Sequence, residues 1–222
     1  MINSIEIIES LVEEIMAKAS GKMELYIIGG GAMMYHRMKE NTKDIDLVVR
    51  TEHDYNVLIQ TLTQSGFCSE RPRSGMEKVD VSDTMVRGEY RVDVFLSKIC
   101  GKLSFSKRMA NRSVKMIERD GQLFSVCCLE DIFLLKSLTE REGDYGDSIS
   151  ILRSAKDFRW DILLEEIKEQ ITGIDSIWIT YVSERLESIN RDGYRIPIMK
   201  EVLKLNNQYM EEWANYYERR NH

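Results

Sequence analysis

Proline is nearly absent: Pro72 and Pro197 are the only two in 222 residues. With no Pro/Gly/Ser-rich tract either, a long flexible linker between separate modules is excluded. No apolar run approaches the roughly 20 residues that a membrane-spanning helix requires. The N-terminal Met1–Ser20 stretch is acidic and amphipathic, without the basic start and apolar block of a secretory signal. Histidine is scarce too, and His36, His53 and His222 form no metal-binding spacing. The four cysteines, Cys68, Cys100, Cys127 and Cys128, lack the paired spacing of a zinc site, and the vicinal pair is a poor disulfide. All four read as reduced, buried thiols and the chain as cytoplasmic.

What is present is an ordinary globular composition, 43% hydrophobic and 31% charged, with a formal net charge of −6. The charge is unevenly spread. Residues 1–127 are balanced, and the acidic excess lies in 128–222. Inside the balanced stretch a single run is basic: Lys98, Lys102, Lys107, Arg108, Arg112, Lys115 and Arg119, against Glu118 alone. Such a run is either a solvated face or a patch for phosphates or RNA.

Hydrophobic periodicity divides the chain near Cys128. Ile5–Ala19 has helical spacing and Met23–Ile28 reads as a strand. A helix over Ala32–Met38 follows, then a strand over Asp44–Val49 and a helix over His53–Ser65. Glu77–Val86 reads as extended, Arg91–Leu96 as a strand, and Val114–Val126 as a hairpin around Asp120-Gly121. After Leu129 strand patterns give way to helices over 129–139, 147–154, 160–171, 177–190 and 197–217. The expectation is therefore an α/β (α+β) domain over 1–127 with a mixed sheet, and an all-helical cap over 128–222. Trp160, Trp178 and Trp213 read as packing residues. Tyr209, Trp213, Tyr216 and Tyr217 form either a helix packed on the cap or a surface for a protein partner.

The most informative residues are Asp44 and Asp46. Residues two apart on a strand share a face, so these two carboxylates would lie side by side. Two neighbouring charged carboxylates repel, and hard divalent cations such as magnesium relieve that repulsion through oxygen ligands. Upstream, Gly29-Gly30-Gly31 joins a strand to a helix, which leaves backbone N–H groups ready for phosphate. Asp93 lies between Val92 and Val94. There it either faces solvent on a half-exposed sheet or needs a partner in the core.

Glycines, a helix, Asp44-x-Asp46 on one strand and Asp93 on a later one together resemble the nucleotidyltransferase fold of the DNA polymerase beta superfamily. The matching segments are IIGGGAMMYHRMKENTKDIDLVV and RVDVFL, roughly residues 23–97. LEDIFLLKSLTEREGDYGDSISIL, with Lys136, Arg141, Asp144 and Asp147, is similar to the helical motif of the AbiEii-type group, which is associated with toxin–antitoxin systems. Many superfamily members have Gly-Ser where this chain has Gly-Gly, so phosphate would rest on backbone N–H groups alone.

The resemblance implies transfer of a nucleoside monophosphate from an NTP to an acceptor. Asp44, Asp46 and Asp93 would ligate two magnesium (or manganese) ions. Gly29, Gly30 and Gly31 would receive phosphates, Lys136 would neutralise triphosphate charge, and Asp144 would orient it or the acceptor. Lys43, Arg37 and Arg141 are further phosphate candidates. The acceptor could be a tRNA end or other RNA, a protein hydroxyl, or a small molecule. The rival reading is a non-catalytic nucleotide-binding component of a toxin–antitoxin-type pair. His36 could approach the nucleotide but reads more simply as a packing residue. Gly143 and Gly146 predict a break between Lys136 and Asp147.

Overall fold

In the computed structural model, which describes residues 1–70 and 83–220, the chain opens with α1 (Ile5–Lys18). Its buried positions Ile8, Leu11, Val12, Ile15 and Met16 recur at helical spacing, which makes one apolar stripe. Then come β1 (Met23–Ile28), α2 (Gly29–Tyr35), β2 (Ile45–Val49) and α3 (Glu52–Gln64). α3 is started by Thr51, whose hydroxyl accepts from the Asp54 amide at 3.1 Å. β3 (Cys68–Glu70), β4 (Asp83–Arg87) and β5 (Tyr90–Leu96) follow. Residues 77–82 of the stretch expected to be extended lie outside the described residues; its remainder begins β4.

Short β6 (Lys98–Ile99) and β7 (Leu103–Ser104) pair with each other. After them comes α4 (Lys107–Arg112), capped by Ser106. The last two strands are β8 (Val114–Arg119) and β9 (Gln122–Val126). They are joined at Asp120 and Gly121, both with positive φ (52° and 79°). That pair of left-handed residues is what a two-residue hairpin turn demands.

Seven strands form one mixed sheet in the order β3-β4-β5-β2-β1-β9-β8. β1–β9 and β2–β5 are parallel; the other neighbours are antiparallel. Both faces of the central strands are buried: Leu25, Tyr26, Ile27 and Ile28 of β1, and Val92, Asp93, Val94 and Phe95 of β5. One face carries Ile27, near which Gly31 of α2 and Ile8 of α1 meet. The opposite face carries Tyr26, whose ring lies 4.9 Å from that of Phe105.

The remaining elements are helical: α5 (Leu129–Lys136), α6 (Glu142–Ser154), α7 (Trp160–Gln170), α8 (Trp178–Arg191) and α9 (Met199–Arg220). The chain divides into two units, Met1–Ile132 and Phe133–His222, with the change-over inside α5. In the second unit Ile151, Leu163, Ile167, Trp178, Ile179, Val182, Leu186, Ile189 and Val202 make the core. Phe133, Phe158 and Trp160 pack edge to face.

The expected break between Lys136 and Asp147 occurs, but not at Gly143 and Gly146. α6 runs through both glycines, and the interruption comes earlier, between Lys136 and Glu142. On α9 only Tyr209 of the tail aromatics is buried; Trp213, Tyr216 and Tyr217 are exposed. No helix among the described residues is long and apolar enough to cross a membrane.

Candidate active site

Strand register builds the site. Asp46 of β2 stands directly opposite Asp93 of β5. Asp93 in turn is opposite Thr84 of β4, and Asp46 is opposite Ile28 of β1. Paired residues on neighbouring strands project to the same face, so Thr84, Asp93, Asp46 and Ile28 form one row across the sheet. Asp44 lies just before β2, half-buried, and its carbonyl accepts from the Thr42 hydroxyl at 3.1 Å.

The glycines are the first turn of α2 rather than a loop ahead of it. Gly29 has φ +61°, and a Cβ there would sit 2.9 Å from Asp46 Cγ and closer still to Oδ2. The Asp46 carboxylate thus rests against bare backbone. Gly30 is similarly tight, since its Cβ would meet the Thr42 side chain at 3.0 Å. The first N–H groups of a helix lack intrahelical partners, so the same glycines that admit Asp46 also offer donors for an anion.

Asp93 is fully buried and does not face solvent. Thr84 Oγ1 donates to its Oδ1 at 2.8 Å. Arg91 Nε donates to its Oδ2 at 3.3 Å, and Arg91 Nη2 lies 3.0 Å from Oδ1. Arg91 is two residues before Asp93, on the same face. In the sequence Arg91 marks only the start of a strand; its place two residues from a buried acid is the signal that points to the pairing.

Among the described residues no three His, Cys, Asp or Glu side chains are gathered as a metal site. In donor chemistry the acids fit a hard divalent cation: carboxylate oxygens, with Asp46 and Asp93 adjacent on paired strands. Both Asp93 oxygens, however, are engaged by Thr84 and Arg91.

No family model and no curated protein matches the chain. Among solved structures it is similar to ANT(2″)-Ia in complex with adenylyl-2″-tobramycin. The TM-score is 0.43 at 14% identity, over 65% of this chain and 87% of that one.

The other residues singled out by sequence sort clearly. Lys43 and Arg37 are exposed. His36 is a packing residue: its Nε2 is 2.8 Å from the Cys127 carbonyl. Cys100 and Cys127 are buried thiols, but Cys68 is exposed, against expectation. Burial pushes the Cys128 thiol up, and Asp131 adds to the shift. In the basic run, Arg112 is no open phosphate contact. It makes a two-pronged ion pair with buried Asp131. Lys115 pairs with Glu118 at 2.8 Å.

In the helical unit, Lys136, Arg141, Asp144 and Asp147 do come together. Lys136 Nζ lies 2.7 Å from Asp144 and 2.8 Å from Asp147. Arg141 Nε donates to Asp144 at 2.7 Å, and the Thr139 hydroxyl also donates to it. Burial alone would lower the Lys136 pKa; the two aspartates more than offset this and hold it above 10.5. Burial would raise Asp144, but Lys136, Thr139 and Arg141 hold it below 3.8.

The pH consequences follow from these directions. The depressed Asp144 contributes stability that is complete above about pH 4 and is lost on acidification through its folded pKa. The raised Lys136 contributes stability that is complete below about pH 10 and is lost as pH rises further. Lys136→Met should strand buried Asp144 and half-buried Asp147 and cost about 3–5 kcal/mol. It should also remove the alkaline limb from a urea-unfolding pH series; an unchanged limb would show that the pair does not stabilise the fold.

Proposed function

We propose that the protein is a cation-dependent nucleotidyltransferase that moves a nucleoside monophosphate from an NTP to an acceptor hydroxyl. The observation that carries this is the Asp46–Asp93 register, with Asp46 seated against the first turn of α2. Asp44, Asp46 and Asp93 would hold the magnesium or manganese ions. When bound, such ions neutralise triphosphate charge and stabilise the attacking and leaving oxygens together.

The chain's own groups do the rest. Asp93 would help take the proton of the acceptor hydroxyl once its oxygens, held by Thr84 and Arg91, are released. The amides of Gly29, Gly30 and Gly31 receive phosphate oxygens. Incubation with each labelled NTP, magnesium and total RNA or lysate tests the reading. A labelled product supports transfer; nucleotide binding without product favours the non-catalytic reading, a component of a toxin–antitoxin-type pair.

RNA, including tRNA, is the proposed acceptor, on the basis of the basic run after β5. Its exposed cations include Lys98, Lys107 and Arg119. Replacing all three with Ala should weaken RNA binding and flatten its salt dependence by roughly 0.7 in log–log slope per lost phosphate contact. NTP binding should stay unchanged. A slope that the triple variant keeps would show that these three cations do not contact the RNA, and no slope in wild type would point to a small-molecule acceptor instead.

A further inference from the structure

We infer that Arg91 is a built-in counter-cation that competes with the divalent cation for Asp93, so that loading the acids requires the guanidinium to leave. The inference rests on the acids being a cation site, as proposed above. It stands on the position of the guanidinium. Arg91 contacts both Asp93 oxygens, and its Nη2 also donates to Thr84 at 3.2 Å. Its side chain is 11% exposed and that of Asp93 is 1% exposed, so water screens the pair little.

An arginine stays protonated at any working pH, so its charge cannot be removed by deprotonation. A divalent ion arriving on Asp93 therefore meets a fixed positive charge at hydrogen-bond distance. Displacement of the guanidinium relieves that repulsion. The fold provides somewhere to go: Glu70 Oε2, on edge strand β3, is 3.6 Å from Arg91 Nη1. Glu70 is half exposed, so a guanidinium drawn towards it moves away from the Asp46–Asp93 row and towards solvent. In the empty state the same arginine offsets the charge of a buried acid that would otherwise be costly.

The test is Mn²⁺ titration of the full chain, read by the loss of the free-ion electron paramagnetic resonance signal. Wild type, Arg91→Met, Arg91→Lys and Asp46→Asn are compared, each checked by circular dichroism. Arg91→Met should bind Mn²⁺ about tenfold more tightly than wild type, because a competing buried charge is gone. Arg91→Lys, which keeps the charge but not the fork, should fall between. Mn²⁺ should also raise the melting temperature of Arg91→Met more than that of wild type.

Wild-type binding that Asp46→Asn removes but both Arg91 variants leave unchanged or weaker would overturn the inference and spare the cation-site reading. Mn²⁺ binding by none of the four would overturn both. Should Arg91→Met fail to fold, Arg91→Lys decides: affinity equal to wild type overturns the inference.

Discussion

Asp46→Asn is expected to reduce nucleotidyl transfer by on the order of 10³-fold, with the far-ultraviolet dichroism unchanged. The substitution is nearly isosteric, so the row Thr84, Asp93, Asp46, Ile28 keeps its register. What it removes is one negative charge beside another. The assay is labelled NTP with magnesium and whichever acceptor fraction supports wild-type transfer. Transfer within a few-fold of wild type would mean that Asp46 holds no catalytic cation, and the nucleotidyltransferase reading would lose its main support.

Gly29→Ala should be nearly as damaging, and for a reason independent of charge. Alanine at φ +61° costs about 1–2 kcal/mol from backbone strain alone. Its methyl would then collide with the Asp46 carboxylate, adding about 1–3 kcal/mol and moving the acid. The melting temperature should fall by roughly 10 °C and transfer should be lost. Gly88→Ala is the control. Gly88 has nearly the same φ, +59°, but a Cβ there would meet nothing within 4 Å. It should show the strain penalty without the collision, and keep activity. Equal loss of activity in the two variants would show that the seat of Asp46 against Gly29 does not matter to function.

Much of this site was legible because its signals are local. Alternation in Arg91–Leu96 put Asp93 on one face of a strand, and two-residue spacing tied Asp46 to β2. The left-handed turn at Asp120-Gly121 is encoded in two adjacent residues. What was not legible is carried by partners distant in the chain. Arg112 reads as one more cation until Asp131 is seen beneath it. Arg91 reads as a strand boundary until Thr84 and Glu70 arrive from β4 and β3. Gly143 and Gly146 read as breakers, since each costs about 1 kcal/mol in a helix. Yet α6 is fastened by contacts that do not depend on propensity: Asp144 holds Lys136, and Ser148, fully buried, donates back to the Asp144 carbonyl at 2.9 Å. Tertiary contacts at the start of the helix outweigh the two glycines.

The parallel pair β1–β9 has a further consequence, for birth rather than for catalysis. Met23 is matched with Gln122 and Ile27 with Val126, so the middle of the sheet joins the beginning of the first unit to its end. Closing so long a loop must precede the contacts that reward it, which makes such pairing intrinsically slow. On the ribosome, β1 and β2 emerge early and can zip together as an antiparallel pair. β1 then waits with one apolar edge open until Val126 has cleared the exit tunnel. Over that interval the nascent chain presents a strand with one unpaired edge, Met-Glu-Leu-Tyr-Ile-Ile, rich in β-formers and carrying one charge. Truncations ending before Gln122 should therefore aggregate or recruit chaperones, whereas a chain released after Ile132 should hold its first unit closed.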